Sequence, residues 1–156
     1  MTITTLCYIR HEGKVLMMLR TKKDHDPNEG KWIGVGGHLE ENESPEDCLL
    51  REVREETGLI LDSWKSRGII TFVNTEYETE RMCLYEADAF HGVLKECDEG
   101  FLEWIPEDRI MDLNLWEGDR WFLEKMFREQ GDISMKLVYD GDKLLHVIMN
   151  GKDIKG

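Results

Sequence analysis

The sequence predicts an α/β sandwich of one domain's size. Three observations point there: a stretch at 45–57 carries both the start and the stop signals of a helix, residues 118–129 show a helical apolar pattern, and short apolar runs with strand character flank both. At 156 residues the chain can bury a proper core, and its 40% hydrophobic content is ordinary for a globular protein.

In chain order, residues 2–10 and 14–20 gather apolar residues on either side of His11-Glu12-Gly13, which predicts a hairpin. A polar loop follows over 21–30, containing Asp26-Pro27-Asn28-Glu29-Gly30. Residues 31–35 read as a short strand running into Gly36-Gly37. Ser44 is a helix N-cap and Pro45 takes the first helical position, where its missing N–H costs nothing. Asp47 suits the positive end of the helix dipole, and Gly58 ends the helix as a C′ glycine. Strands are expected at 69–73 and 82–90, separated by the polar stretch 74–81. Residues 103–106 read as a strand leading into a turn or short helix at 107–111. The helix at 118–129 presents Trp121, Phe122, Met126 and Phe127 to the core. A closing hairpin pairs 135–139 with 144–149 around Asp140-Gly141-Asp142, whose glycine makes a turn a better reading than a metal motif. No repeat, low-complexity tract or linker interrupts this order, so 1–156 reads as one domain.

The net charge is −13, from 33 acidic against 20 basic residues. That argues against a nucleic-acid polymer as partner, since such binding needs basic stripes. Cys7, Cys48, Cys83 and Cys97 show no CxxC pair and no metal-ligand spacing, and read as reduced small apolar residues. No signal peptide or membrane span is expected, and the expected location is cytoplasmic. The expected assembly is a monomer or weak dimer.

The chemistry concentrates on the first helix. At ~100° per residue, Glu52, Glu55 and Glu56 share a face while Leu49, Leu50 and Val53 flank it and pack inward. Three carboxylates within ~5–6 Å repel one another unless a cation sits among them. An all-oxygen set of this kind selects a hard ion, Mg2+ or in its place Mn2+, over zinc. Glu43 lies within reach of Arg51, a pair suited to orienting the acids. Glycines at 36 and 37 let a backbone carbonyl approach the ion closely.

Gly37, Glu43, Arg51-Glu52, Val53, Glu55-Glu56, Gly58 and Leu59 together match the signature of the Nudix hydrolases, and the chain resembles that family strongly. The resemblance implies the Nudix α/β/α sandwich, with a mixed central sheet and the loop-helix-loop motif, and a magnesium-dependent pyrophosphohydrolase activity. It implies Gly37, Glu52, Glu55, Glu56 and Glu99 as metal ligands, Glu55 or Glu52 as the base, and Arg51 and Glu43 as their supports. Outside the box, Gly30-Lys31-Trp32, Asp98-Glu99 and Trp116…Asp119…Trp121-Phe122 are similar to the MutT-type hydrolases of oxidised purine nucleoside triphosphates such as 8-oxo-dGTP. That likeness implies a nucleoside triphosphate substrate met by Lys23 at the phosphates and by Ile33, Phe72, Met82, Trp116 and Asp119 around the base. Ile33 stands where mammalian-type enzymes carry an asparagine, so it packs on a base without reading its edge. Two other readings stand beside this one: a dinucleoside polyphosphate hydrolase, suggested by Tyr77, and a non-catalytic nucleotide sensor, opposed by the intact glutamates.

Overall fold

A computed structural model of the protein describes residues 1–21 and 26–156. Along them run β1 (Thr2–His11), β2 (Lys14–Arg20), β3 (Trp32–Ile33), β4 (Val35–His38), α1 (Pro45–Thr57), β5 (Leu59–Asn74) and β6 (Glu80–Gly92). Then come β7 (Gly100–Pro106), a 3-10 helix (Glu107–Asp112), α2 (Glu117–Arg128), β8 (Ile133–Asp140), β9 (Lys143–Met149) and β10 (Lys152–Asp153).

The first hairpin forms, but it stays zipped only at Arg10–Val15 and His11–Lys14. Beyond that point β1 runs antiparallel to β4 and parallel to β6, while β2 pairs with β3 and β7. β5 completes the mixed sheet, antiparallel to β6 and parallel to β8. The side-chain period of two along β1 then divides the core. Cys7 and Ile9 face Leu49 and Val53 of α1, and Leu6 and Tyr8 belong to the cluster that holds Phe122, Leu123 and Met126 of α2. Each helix covers one layer of the core, which is the predicted α/β/α sandwich.

α1 begins and ends where its signals say. Ser44 Oγ accepts from the Asp47 amide at 3.1 Å, the Asp47 carboxylate accepts from the Ser44 amide at 3.0 Å, and Gly58 closes the helix at φ 80°. α2 is anchored at its far end by Arg67, which is 1% exposed yet donates to the carbonyls of Met126, Glu129 and Gly131 and pairs with Glu86. A buried guanidinium is tolerable only with partners of this number.

Several boundaries differ from expectation. The strand expected at 31–35 is two, broken at Gly34, where a Cβ would lie 2.7 Å from the Cys7 carbonyl oxygen and 3.1 Å from the Tyr8 ring. The strand expected at 69–73 is the end of a β5 that starts directly after Gly58, its first half obscured by polar residues and irregular pairing between Leu61 and Gly68. β10 adds two exposed residues to β9 and has no sequence signal of its own. All four cysteines are free thiols. No helix of the described residues is long and apolar enough to cross a membrane.

Candidate active site

A cavity of about 730 Å³ opens between β1, β4 and α1 on one side and α2 with β5, β6 and β8 on the other. One end is acidic, lined by Gly37, Glu52, Glu56 and Glu99 together with Arg20 and Arg51. The other is largely apolar, lined by Ile33, Phe72, Met82, Trp116, Asp119 and Tyr139. This volume lies in the range of small-ligand sites, roughly 300–1,000 Å³.

At the acidic end the helix spacing brings Glu52 and Glu56 to the cavity wall. Gly37 on β4 faces Glu52 so closely that a Cβ would lie 2.7 Å from its carboxyl carbon, so any larger residue would displace the Glu52 carboxylate. Arg51 forks onto Glu43 at 2.7 and 2.9 Å, reaches Glu52 at 2.6 Å and Glu55 at 3.2 Å, and donates to the His38 carbonyl at 3.1 Å. The fork holds Glu43 down at a pKa of about 2 and raises that of Arg51. Glu56 is 7% exposed and its Oε2 has no hydrogen-bond partner. Burial, then the neighbouring carboxyls of Glu99 and Glu52, push its pKa up to about 10, against a smaller opposing pull from Arg20. Burial also raises Glu52, an effect that Arg51 partly offsets.

An orphaned buried carboxylate oxygen, acids crowded within a charge-sensitive distance and a glycine cradle all suit a hard divalent cation. No three acidic side chains of the described residues converge on one point, because Glu52 and Glu55 lean on Arg51. Glu55 is the outlier of the expected trio: its side chain is 61% exposed and it does not line the cavity.

The opposite end is assembled from distant segments. Trp116 caps α2, its indole Nε1–H donating to Asn28 Oδ1 at 2.8 Å and its ring meeting Tyr139 edge-on at 5.5 Å. Asp119 follows in the first turn, 5% exposed. Gly118 allows the Tyr139 hydroxyl to accept from its amide at 2.7 Å, in space that a Cβ would close. Burial and then Glu80 raise Asp119 to about 7, while Lys31 and Arg120 pull the other way. At neutral pH this carboxyl is therefore divided between donor and acceptor forms.

A family model for the NUDIX domain matches residues 2–126. The chain belongs to the Nudix family. An uncharacterised Nudix hydrolase of Bacillus subtilis (strain 168), YvcI, is 29% identical over 97% of this chain and 96% of its own length. An oxidised purine nucleoside triphosphate hydrolase of Danio rerio is 34% identical, covering 77% of this chain and 76% of its own. Among solved structures, a mutator MutT protein from Bacillus halodurans superposes with a TM-score of 0.87 at 23% identity, over 97% of this chain and 99% of that one, a likeness of fold.

Within this Nudix fold, nearly all the residues singled out from sequence share one cavity. Glu43 supports it through Arg51, Glu55 sits outside its wall, and Lys23 lies outside the described residues. Sequence reasoning missed Arg20, whose guanidinium enters the acidic end because Arg20 on β2 pairs with Gly100 on β7, next to Glu99. It also missed Glu80 and Asp26, lining acids whose neighbours are set only by tertiary pairing.

Proposed function

We propose that residues 1–156 act as one Nudix domain, a magnesium-dependent nucleoside triphosphate pyrophosphohydrolase that prefers oxidised purines of the 8-oxo-dGTP kind. The observation that carries this reading is the single cavity joining an acid cluster to a base-sized apolar end that contains one buried titratable carboxyl. The Danio rerio relative, an oxidised purine nucleoside triphosphate hydrolase, supports the substrate class.

Glu52, Glu56, Glu99 and the Gly37 carbonyl, which line the cavity, would hold Mg2+, with Mn2+ as its substitute, and Glu55 would join them on turning from Arg51. When bound, such an ion neutralises phosphate charge and acidifies the attacking water. Arg51 fixes the direction of the acids through Glu43, and Arg20 offers guanidinium N–H groups to phosphate oxygens. Glu52 or Glu55 takes the proton as water attacks phosphorus. The anhydride P–O bond breaks, and nucleoside monophosphate and pyrophosphate leave. At the other end Trp116 stacks on the base between Phe72, Met82 and Ile33, and Asp119 contacts its edge. Lys23 is a further phosphate contact in this proposal. A carboxyl poised near neutrality can donate to one base edge and accept from another, which suits a purine whose donor pattern has changed by oxidation.

Pyrophosphate release measured with Mg2+ across dGTP, 8-oxo-dGTP, other triphosphates, ADP-ribose and diadenosine tetraphosphate tests this reading. Faster turnover of 8-oxo-dGTP than of dGTP supports it. Efficient cleavage of diadenosine tetraphosphate instead favours the dinucleoside polyphosphate reading, for which Tyr77 at the cavity wall is the one observation.

A further inference from the structure

The segment between β2 and β3 touches both ends of the cavity, and it does so through side chains that the reading above leaves without a role. Asp26 has a side chain only 6% exposed, and its Oδ2 lies 2.8 Å from Arg20 Nε. The two atoms are close as an ion pair but not aligned as a hydrogen bond, so each lacks a well-formed partner. Arg20 Nη1 is in turn 3.5 Å from Glu99 Oε2, at the acidic end. The other oxygen of Asp26 accepts from the Asn28 amide at 3.0 Å. Asn28 then accepts from the Trp116 indole at 2.8 Å, and Lys31 Nζ stands 5.3 Å from the centre of that ring. The backbone around these contacts is pinned at Gly30 on both of its polar atoms. Gly30 donates to the Arg20 carbonyl at 2.8 Å, and the Asn114 side chain donates to the Gly30 carbonyl at 2.8 Å.

We propose that the turn 26–31 is a strap that positions both ends of the cavity, with Asp26 holding the Arg20 guanidinium at the acidic end and Asn28 holding the Trp116 indole at the other. The proposal rests on the hydrolase reading for its kinetic consequences but not for its geometry. Arg20 is a long side chain with many rotamers, and a nearly buried carboxylate at Nε restricts them while leaving Nη groups toward the cavity. An indole held by its N–H cannot swing about χ2, so the plane on which a base would stack is set before the base arrives. Asp26 and Asn28 are positioning residues. Asp26 meets Arg20 through one oxygen and the Asn28 amide through the other, so a variant that keeps the second contact separates the two effects.

The test uses three variants, a fourth that assigns one resonance, and two readouts. Asn28→Ala removes the acceptor of the indole, whereas Asn28→Asp keeps one. Asp26→Asn keeps the acceptor for the Asn28 amide and removes the charge facing Arg20. In 15N-labelled protein, the Trp116 indole N–H resonance (identified by its disappearance in Trp116→Phe) should move in Asn28→Ala, return in Asn28→Asp and stay in place in Asp26→Asn. The Arg20 Nε–H resonance should move in Asp26→Asn alone. In turnover, Asn28→Ala should raise KM for purine nucleoside triphosphates by roughly 2- to 12-fold, the range of one net hydrogen bond, and more than it lowers kcat. Asp26→Asn should lower kcat by roughly 10-fold, as outer-shell losses do, with the purine preference intact. A Trp116 resonance unmoved by Asn28→Ala, or the same KM and kcat pattern in both variants, overturns the proposal. Absence of any triphosphate turnover in the wild type overturns the hydrolase reading instead, and leaves the resonance shifts to decide the strap.

Discussion

Glu56 and Asp119 are buried acids at opposite ends of one cavity, and burial raises the pKa of both. Their neighbours differ. Glu56 faces two further carboxyls, Glu99 and Glu52, and retains an oxygen with no partner, so its pKa climbs to about 10. Asp119 faces one carboxyl, Glu80, offset by Lys31 and Arg120, and stops at about 7. An acid among acids is a place for a cation. An acid among apolar walls, poised at neutrality, is a place for a neutral hydrogen-bonding edge. In the proposed function, the chain would separate charge neutralisation from recognition by burying the same functional group in two surroundings.

The largest test of this contrast is Glu56→Gln. Losing a stabiliser at the acidic end should lower kcat by roughly 10²-fold or more. The same change removes a buried carboxyl that is uncompensated without metal, so the thermal midpoint in EDTA should rise rather than fall. Wild-type protein should gain stability on adding Mg2+, and the variant should gain much less. Normal turnover of Glu56→Gln at low millimolar Mg2+ would remove the acidic end from the argument.

Arg51→Lys comes next. It keeps the charge but loses the fork onto Glu43 and the simultaneous reach to Glu52 and Glu55. Activity should fall by roughly 10- to 100-fold with a weaker apparent Mg2+ affinity, the usual scale for a lost orienting contact. A magnesium titration of turnover that superposes on the wild type would show that the fork orients nothing.

The two ends were not equally legible in the sequence, for a physical reason. The acidic end is written locally: one helix with a serine cap and a glycine stop places Glu52 and Glu56 one turn apart, and Arg51 and Glu43 fall beside them. Even there Glu55 turned outward, because at one residue's remove from Glu56 it lies about 100° round the helix. The apolar end draws on Ile33, Phe72, Met82, Asp119 and Tyr139, each on a different element, and is assembled only after β5 joins β6 and β8. Resemblance could point to most of these residues, but spacing could not. Arg20 was hidden for the same reason: its partner Glu99 reaches it through the β2–β7 ladder. The fold itself was more readable than either end. What it lost was the first half of β5, whose polar surface and irregular pairing hide a strand from any period-two pattern.

Trp116→Ala sharpens the comparison from the recognition side. Removing a stacking surface should weaken binding of every purine nucleotide by roughly 1–3 kcal/mol, read as a higher KM at little changed kcat. An equal loss for a substrate without a base, such as inorganic tripolyphosphate, would mean that Trp116 serves the fold and not the ligand.

The smallest expected effect is the pH dependence of base discrimination, and it separates the two acids most directly. The groups that bear on Asp119 are Glu80 on β6, Lys31 in the strap and Arg120 on α2, with the raised hydroxyls of Tyr8 and Tyr139 neutral throughout. With a folded value near 7 against an ordinary value near 3.8, the native state holds a proton that the unfolded chain has lost. Unfolding free energy should therefore decline as pH rises from the ordinary aspartate range to about 7 and level off above it. Asp119→Asn should abolish that component of the slope. In turnover, the protonated fraction falls about tenfold between pH 6 and pH 8, so the ratio of kcat/KM for 8-oxo-dGTP to that for dGTP should change across the same interval by up to about tenfold. Asp119→Asn, fixed as a donor and acceptor at every pH, should flatten the ratio while leaving the magnesium dependence set at the acidic end as it was. A wild-type ratio that stays constant from pH 6 to pH 8 would show that Asp119 keeps one protonation state when substrate is bound, and would return the reading of the base edge to its neighbours.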